Sequence, residues 1–224
     1  MRFKVAVLLA TGAVVGLVFH AAGVPAAASQ PASIAAGQVA VACLAPTEPE
    51  YIGSKKCKMC HSKIHKSWEE TSHGKAFELL KPNKAAAAKE KFGLDPAKDY
   101  TTDQACLPCH TVGFGKKGGY AVPDPSDEKA VKAMADLEGV GCENCHGPGS
   151  LTSELKSQIK KEKRKYKFEE LAALGMTKVE ESTCTACHNE KGPTFDPSKG
   201  FNFEESKADK DAIHEHEELK LRED

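Results

Sequence analysis

The pentapeptide Cys-x-x-Cys-His occurs four times in this chain, and no other feature narrows the possible folds as far. The copies are Cys57-Lys-Met-Cys60-His61, Cys106-Leu-Pro-Cys109-His110, Cys142-Glu-Asn-Cys145-His146 and Cys184-Thr-Ala-Cys187-His188. Two thiols three positions apart on one helical turn can form thioethers to the two vinyl groups on one edge of a haem. The histidine beside the second thiol then lies under the iron as proximal ligand. The pattern predicts four covalent c-type haems on one polypeptide. Zinc knuckles, redox dithiols and structural disulfides also use Cys-x-x-Cys pairs. None of them requires a histidine after the second cysteine in every copy.

A chain of 224 residues favours one domain. Only 6% of it is aromatic, with a single tryptophan, which is little bulk for the core such a length normally buries. Four macrocycles would supply that core. The expected fold is therefore mainly α, with short helices and loops packed around four haems and collapse that depends on haem attachment.

The N-terminus reads as an export signal. Arg2 and Lys4 precede the apolar run from Val5 to Phe19, and Ala26-Ala-Ala28 suits cleavage before Ser29. Residues 1–28 are thus expected to be a signal peptide. Residues 29–50, with Pro31, Pro46 and Pro49, read as a flexible linker, and 51–224 as the tetrahaem domain. The apolar run is short for a span and Pro25 follows it, so a periplasmic protein with transient membrane contact is expected. Cys43 lies outside the motifs and reads as a free or intermolecularly paired thiol rather than a lipid site.

Without Arg2 and Lys4 the chain carries 29 basic against 32 acidic residues. Haem propionates lower the balance further, to about −7, which argues against nucleic acid as a partner. The charge is unevenly spread. Leu155 to Lys167 holds seven lysines or arginines and one acid, a solvated face or a docking patch for an acidic redox partner. Glu204 to Asp224 holds nine acids and four bases.

Local signals predict a helix capped by Ser54 that carries the first motif and runs toward Trp68. A second runs from a Thr71 or Ser72 cap to Leu80, with His73 in its first turn. A third spans Lys84 to Phe92 and stops at Gly93. The Gly-rich stretch from Val112 to Val122 predicts one small β-hairpin. Ser126 should cap a helix over Asp127–Leu137, residues 151–174 should be helical, and a last helix should span Glu204–Leu221. The fourth motif falls on a short helix of its own, and Pro193 and Pro197 break the loop that follows.

Nine histidines are present. His20 leaves with the signal and four are proximal, so His65, His73, His214 and His216 remain as distal candidates. His65 sits one turn beyond His61 on the same helix and is poorly placed for that haem. His73 lies near Trp68 and Phe77. His214 and His216 cannot share a helix face, and the Ala208, Ala212, Leu219 stripe favours His216. At least one iron is then left open or weakly closed.

Several stretches resemble one family, the tetrahaem cytochrome c-554 of ammonia oxidation. They include Ser67-Trp68, His73-Gly-Lys75, Lys81-Pro82-Asn83, Asp95-Pro-Ala-Lys-Asp-Tyr-Thr101 and Gly113-Phe-Gly-Lys-Lys-Gly-Gly-Tyr120. They continue in Gly139-Val-Gly-Cys142, Cys145-His-Gly-Pro-Gly149 and His214-Glu-His216. The resemblance implies that His73 closes the third haem opposite His146. It implies that His214, rather than His216, closes the fourth opposite His188, and that the haem on His110 is five-coordinate. In that family a histidine several residues beyond the third motif closes the first haem. Here Ser150-Leu-Thr-Ser-Glu-Leu-Lys156 has none, so the haem on His61 is open or uses His65 or Lys156.

The leading function is periplasmic electron transfer without catalysis. By resemblance the donor is an octahaem hydroxylamine-oxidising enzyme, and the acceptor a quinone-linked or soluble downstream cytochrome. An open iron also permits nitric oxide reduction, and a gas-binding or scaffold subunit is the third reading.

Overall fold

In the computed structural model, residues 48–192, 195, 198 and 200–223 are described. The signal, most of the linker, Cys43, Pro193 and Pro197 lie outside them. Ala45–Asp224 form one compact unit. Its elements are short: α1 (Ser54–Lys58), α2 (Ser62–Glu70), a 3-10 turn (Ala76–Leu80), α3 (Ala86–Lys91), α4 (Leu107–His110), α5 (Glu128–Ala135), α6 (Cys142–His146), α7 (Ser150–Glu162), β1 (Tyr166–Lys167), α8 (Phe168–Ala172), α9 (Glu181–Thr185), α10 (Phe203–Ala208) and β2 (Arg222–Glu223). None of the described helices is long and apolar enough to cross a membrane.

The side-chain cores are small. One cluster gathers Phe77, Leu80, Tyr100, Leu107, Val112 and Tyr120, and a second gathers Ile159, Tyr166 and Leu171. Short helices around small cores are what a chain builds when its apolar bulk is carried by prosthetic groups.

The predicted helix from Ser54 toward Trp68 is two helices. Cys57 O accepts from both Cys60 N and His61 N, at 3.1 and 2.9 Å, which tightens the turn. His61 then leaves helical geometry (φ −122, ψ 50) and becomes the N-cap of α2. Residues Thr71 to Lys75 form a turn instead of a helix start. Thr71 Oγ1 accepts from Gly74 N at 3.1 Å, and a Cβ on Gly74 would lie 2.4 Å from Trp68 O.

The β-hairpin expected at Val112–Val122 does not form. Gly113, Gly115 and Gly118 take positive φ and coil the arms, and Tyr51 N donates to Lys117 O at 3.1 Å. The loop closes through Tyr120 N to Val112 O at 2.8 Å. Gly119 allows this closure, since a Cβ there would fall 1.8 Å from Gly113 O. The strand pair lies elsewhere: β1 and β2 are parallel, with Tyr166 opposite Arg222.

Asp127, not Ser126, caps α5, accepting from Lys129 N and Ala130 N. The helical run expected over 151–174 breaks where Lys163 turns left-handed, and β1 and α8 follow. The expected last helix stops at Ala208. Asp209 Oδ1 accepts from Asp211 N and Ala212 N at 2.9 and 3.2 Å, a local turn that competes with helix continuation. His214 and His216 therefore lie on an irregular segment, which removes the helical stripe that favoured His216. That segment is tied down at both ends: Glu215 N donates to Ser67 Oγ at 2.7 Å, and β2 pairs with β1.

Glu143 joins the start of the unit to the third motif. Its carboxylate is 3% exposed and accepts from Ile52 N, Gly53 N and Gly149 N at 3.0, 2.8 and 2.7 Å. Burial pushes the carboxyl up while the three donors pull it down. Replacing Glu143 by alanine strands three buried donors and should cost about 3 kcal/mol. Guanidinium unfolding of the holoprotein, followed in the Soret band, should show an earlier midpoint at unchanged slope.

Candidate haem centres

The four pentapeptides are neighbours in space. The thiols of Cys57 and Cys142 lie close enough to shift each other's titration, which places the first motif beside the third. Cys187 and Cys109 affect each other in the same way, which places the fourth motif beside the second. Cys145 and Cys184 feel each other's charge, and α6 packs on both α1 and α9. The spatial order is thus first, third, fourth, second. All eight motif thiols are unpaired by disulfides. Among the described residues no three His, Cys, Asp or Glu side chains gather as a metal site.

The imidazoles are arranged in facing pairs. Two imidazoles bound to one metal from opposite sides, at about 2 Å each, have ring centres about 6 Å apart. His73 and His188 are 5.9 Å apart between centres, and His146 and His214 are 6.5 Å apart. Their interplanar angles, 78° and 31°, are both permitted because each ring can turn about its own metal bond. This pairing is the reverse of the one the family resemblance implies, which set His73 opposite His146 and His214 opposite His188. The backbone explains the exchange. The ring of His73 lies beside the Ala212 carbonyl, and Ser67 holds the segment of His214 beside α2.

Neighbouring backbone orients several rings. His110 Nδ1–H donates to Ala76 O at 2.7 Å, leaving Nε2 free for a metal. His214 Nδ1–H donates to Glu215 O at 2.8 Å with the same result. Main-chain bonds fix the motifs themselves, from Gly139 N to His110 O and from Thr177 N to His146 O, at 3.0 and 2.9 Å. Burial lowers the affinity of His61, His73, His110 and His146 for protons, and a neutral imidazole is the ligating form.

The remaining candidates stand apart. His65 is 3% exposed but packs edge-on against Trp68 at 5.3 Å, with Nδ1 3.4 Å from Glu69 Oε2. His216 is exposed, 5.4 Å from His214 between ring centres, with Nε2 3.4 Å from Lys207 O. Among the described residues no imidazole faces His61 or His110 at ligating distance. Glu138 bridges to Thr111 beside His110, and burial pushes its carboxyl up. Within the basic run, Lys160, Lys161 and Lys163 are exposed, whereas Arg164 pairs with Glu170 at 2.8 Å and Lys165 bonds Lys220 O. Sequence reasoning missed the carbonyls of Ala76 and Ala212, because a carbonyl leaves no side-chain signal. It also missed the clamp by Ser67, whose partner is 148 positions away.

The donor set therefore fits covalent haem: paired thiols, a proximal imidazole beside each pair, and two further imidazoles at cross-metal spacing. Residues 56–147 match the family described as cytochrome c554 and c-prime. The chain is 39% identical to cytochrome c-554 of Nitrosomonas europaea over 212 residues, 83% of this chain and 87% of that protein. The reduced-state structure of cytochrome c554 from Nitrosomonas europaea superposes with a TM-score of 0.65 at 38% identity, covering 79% of this chain and 91% of that one.

Proposed function

The chain belongs to the cytochrome c-554 family of multihaem c-type electron carriers, with four covalent haems, and from that premise we propose that it carries electrons in the periplasm from a hydroxylamine-oxidising octahaem enzyme to a quinone-linked or soluble cytochrome. The observation that supports the reading most is the unbroken order of motifs inside one compact unit, first to third to fourth to second. The haems supply the one-electron chemistry. The protein's part is to hold them in series and, by burial, to keep the imidazoles of His61, His73, His110 and His146 neutral.

Docking to an acidic partner has a candidate face at the first motif. Lys58, Lys63 and Lys66 line one cleft, and Met59 beside it is 71% exposed. Such a face speeds encounter more than it tightens binding.

His73 and His214 are the distal ligands of this reading, on the irons of His188 and His146. The iron on His110 is open, since no imidazole faces it among the described residues. That open iron also supports the second reading, nitric oxide reduction, for which Glu138 is the nearby carboxyl. The ferric holoprotein should show one high-spin haem in four, and that iron should take carbon monoxide after reduction. Hydroxylamine with the octahaem enzyme should reduce all four haems, faster at low ionic strength. A fully low-spin spectrum that ignores carbon monoxide removes the open iron. Fast turnover of nitric oxide would promote the second reading over the first.

A further inference from the structure

The iron on His61 needs a sixth ligand if only one of the four is open, and α7 presents one. Thr152 and Ile159 are buried on the inner face of this helix. Lys156 stands four residues after the first and three before the second, so it shares that face. Lys160 and Lys161 on the same helix are exposed. The amine of Lys156 points inward, donating to Tyr166 Oη at 3.0 Å and lying 4.9 Å above that ring. Tyr166 is itself buried in the cluster of Ile159 and Leu171. The charge of Lys156 is felt at the His61 imidazole more strongly than any other charge, ahead of Glu217 and His214. The amine is thus within electrostatic reach of the imidazole.

The competing ligands are spent or misplaced. His214 faces His146, and His73 faces His188. His65 follows His61 by one turn, with its N–H bonded to His61 O at 2.8 Å, and its ring packs on Trp68. A ring on the proximal helix cannot reach the opposite side of the same metal.

We propose that the Nζ of Lys156 is the distal ligand of the haem carried on His61, oriented by Tyr166 Oη. This rests on the four-haem reading above, with His110 alone left open. In forming the bond Nζ releases one proton to solvent and gives its lone pair to iron, and nothing is oxidised or reduced. Tyr166 accepts one of the remaining N–H groups, which holds the lone pair toward the metal in the manner of an outer-shell partner.

The test is a count of ferric high-spin haems in the purified holoprotein, read by electron paramagnetic resonance and near-infrared magnetic circular dichroism. Wild type should show one low-spin component of imidazole–amine type beside two of bis-imidazole type. Lys156→Ala should lose that component and gain one high-spin haem per chain. Lys156→His should restore the low-spin count with a third bis-imidazole component, which also shows that the helix tolerates change at this position. Lys160→Ala should leave every component in place. An imidazole–amine component absent from wild type, or a high-spin count that does not rise in Lys156→Ala, overturns the proposal. The readout is the increment, so it stands apart from the open iron on His110. If wild type has no high-spin haem, that open iron fails, while a rise from zero to one in Lys156→Ala still supports the amine ligand.

Discussion

Replacing His73 by alanine should open the iron on His188, doubling the ferric high-spin count from one to two haems per chain. The ring of His73 is 5.9 Å from that of His188 between centres, and among the described residues the other ring recorded against His188 is Phe201, which cannot ligate. Loss of a strong-field imidazole should also raise the potential of that haem by on the order of 0.1 V, a small part of the about 0.8 V that axial ligands span. The position of the new open iron decides between the two pairings. The fourth motif lies beside the second, where Cys187 and Cys109 influence each other, so an iron opened on His188 neighbours the open iron on His110. The two high-spin centres should then couple magnetically. The pairing implied by resemblance would open the iron on His146, whose motif contacts the first and fourth, and the signals should stay largely independent. A spectrum unchanged by His73→Ala would remove His73 as a ligand altogether.

The sites that define this protein were legible because their chemistry is local. Five consecutive residues hold two thioether sulfurs and a ligand, and no tertiary contact is needed to see them. The α class was legible for a related reason, since each motif requires a helical turn. Distal ligands were legible only as a list of spare histidines. Pairing one with its iron needs the tertiary fold, and here two backbone details decide it: Asp209 ends α10 early, and Ser67 catches Glu215. Helical periodicity pointed to His216 because it assumed a helix that the Asp209 side chain interrupts. The hairpin was misread for a similar reason. Alternating apolar arms around glycines suit a strand, but positive φ at Gly113, Gly115 and Gly118 coils the arms, and Tyr51 takes the Lys117 carbonyl. Ser126 lost the cap of α5 to Asp127 by one position, within the usual uncertainty of helix boundaries.

Removing the third haem should be more damaging than removing any other group of the same size. α6 packs on two other motif helices, α1 and α9, and its Glu143 ties residues 52, 53 and 149 together. A buried macrocycle takes several hundred Å² of apolar surface out of water, worth about 10 kcal/mol at about 25 cal/mol per Å². The whole stability of a domain is about 5–15 kcal/mol. The side-chain clusters described above are too small to compensate. Replacing both Cys142 and Cys145 by serine should therefore drop the yield of folded holoprotein at least about tenfold, with loss of helical dichroism rather than a simple loss of one haem in four. Cys60→Ala is the contrasting case. That thiol is exposed, and Cys57 and His61 still hold the haem, so four haems and the helical spectrum should survive. If the double serine variant folded to wild-type helicity with three haems, the core would have to lie in the polypeptide itself. The low aromatic content and the short helices would then need a different cause.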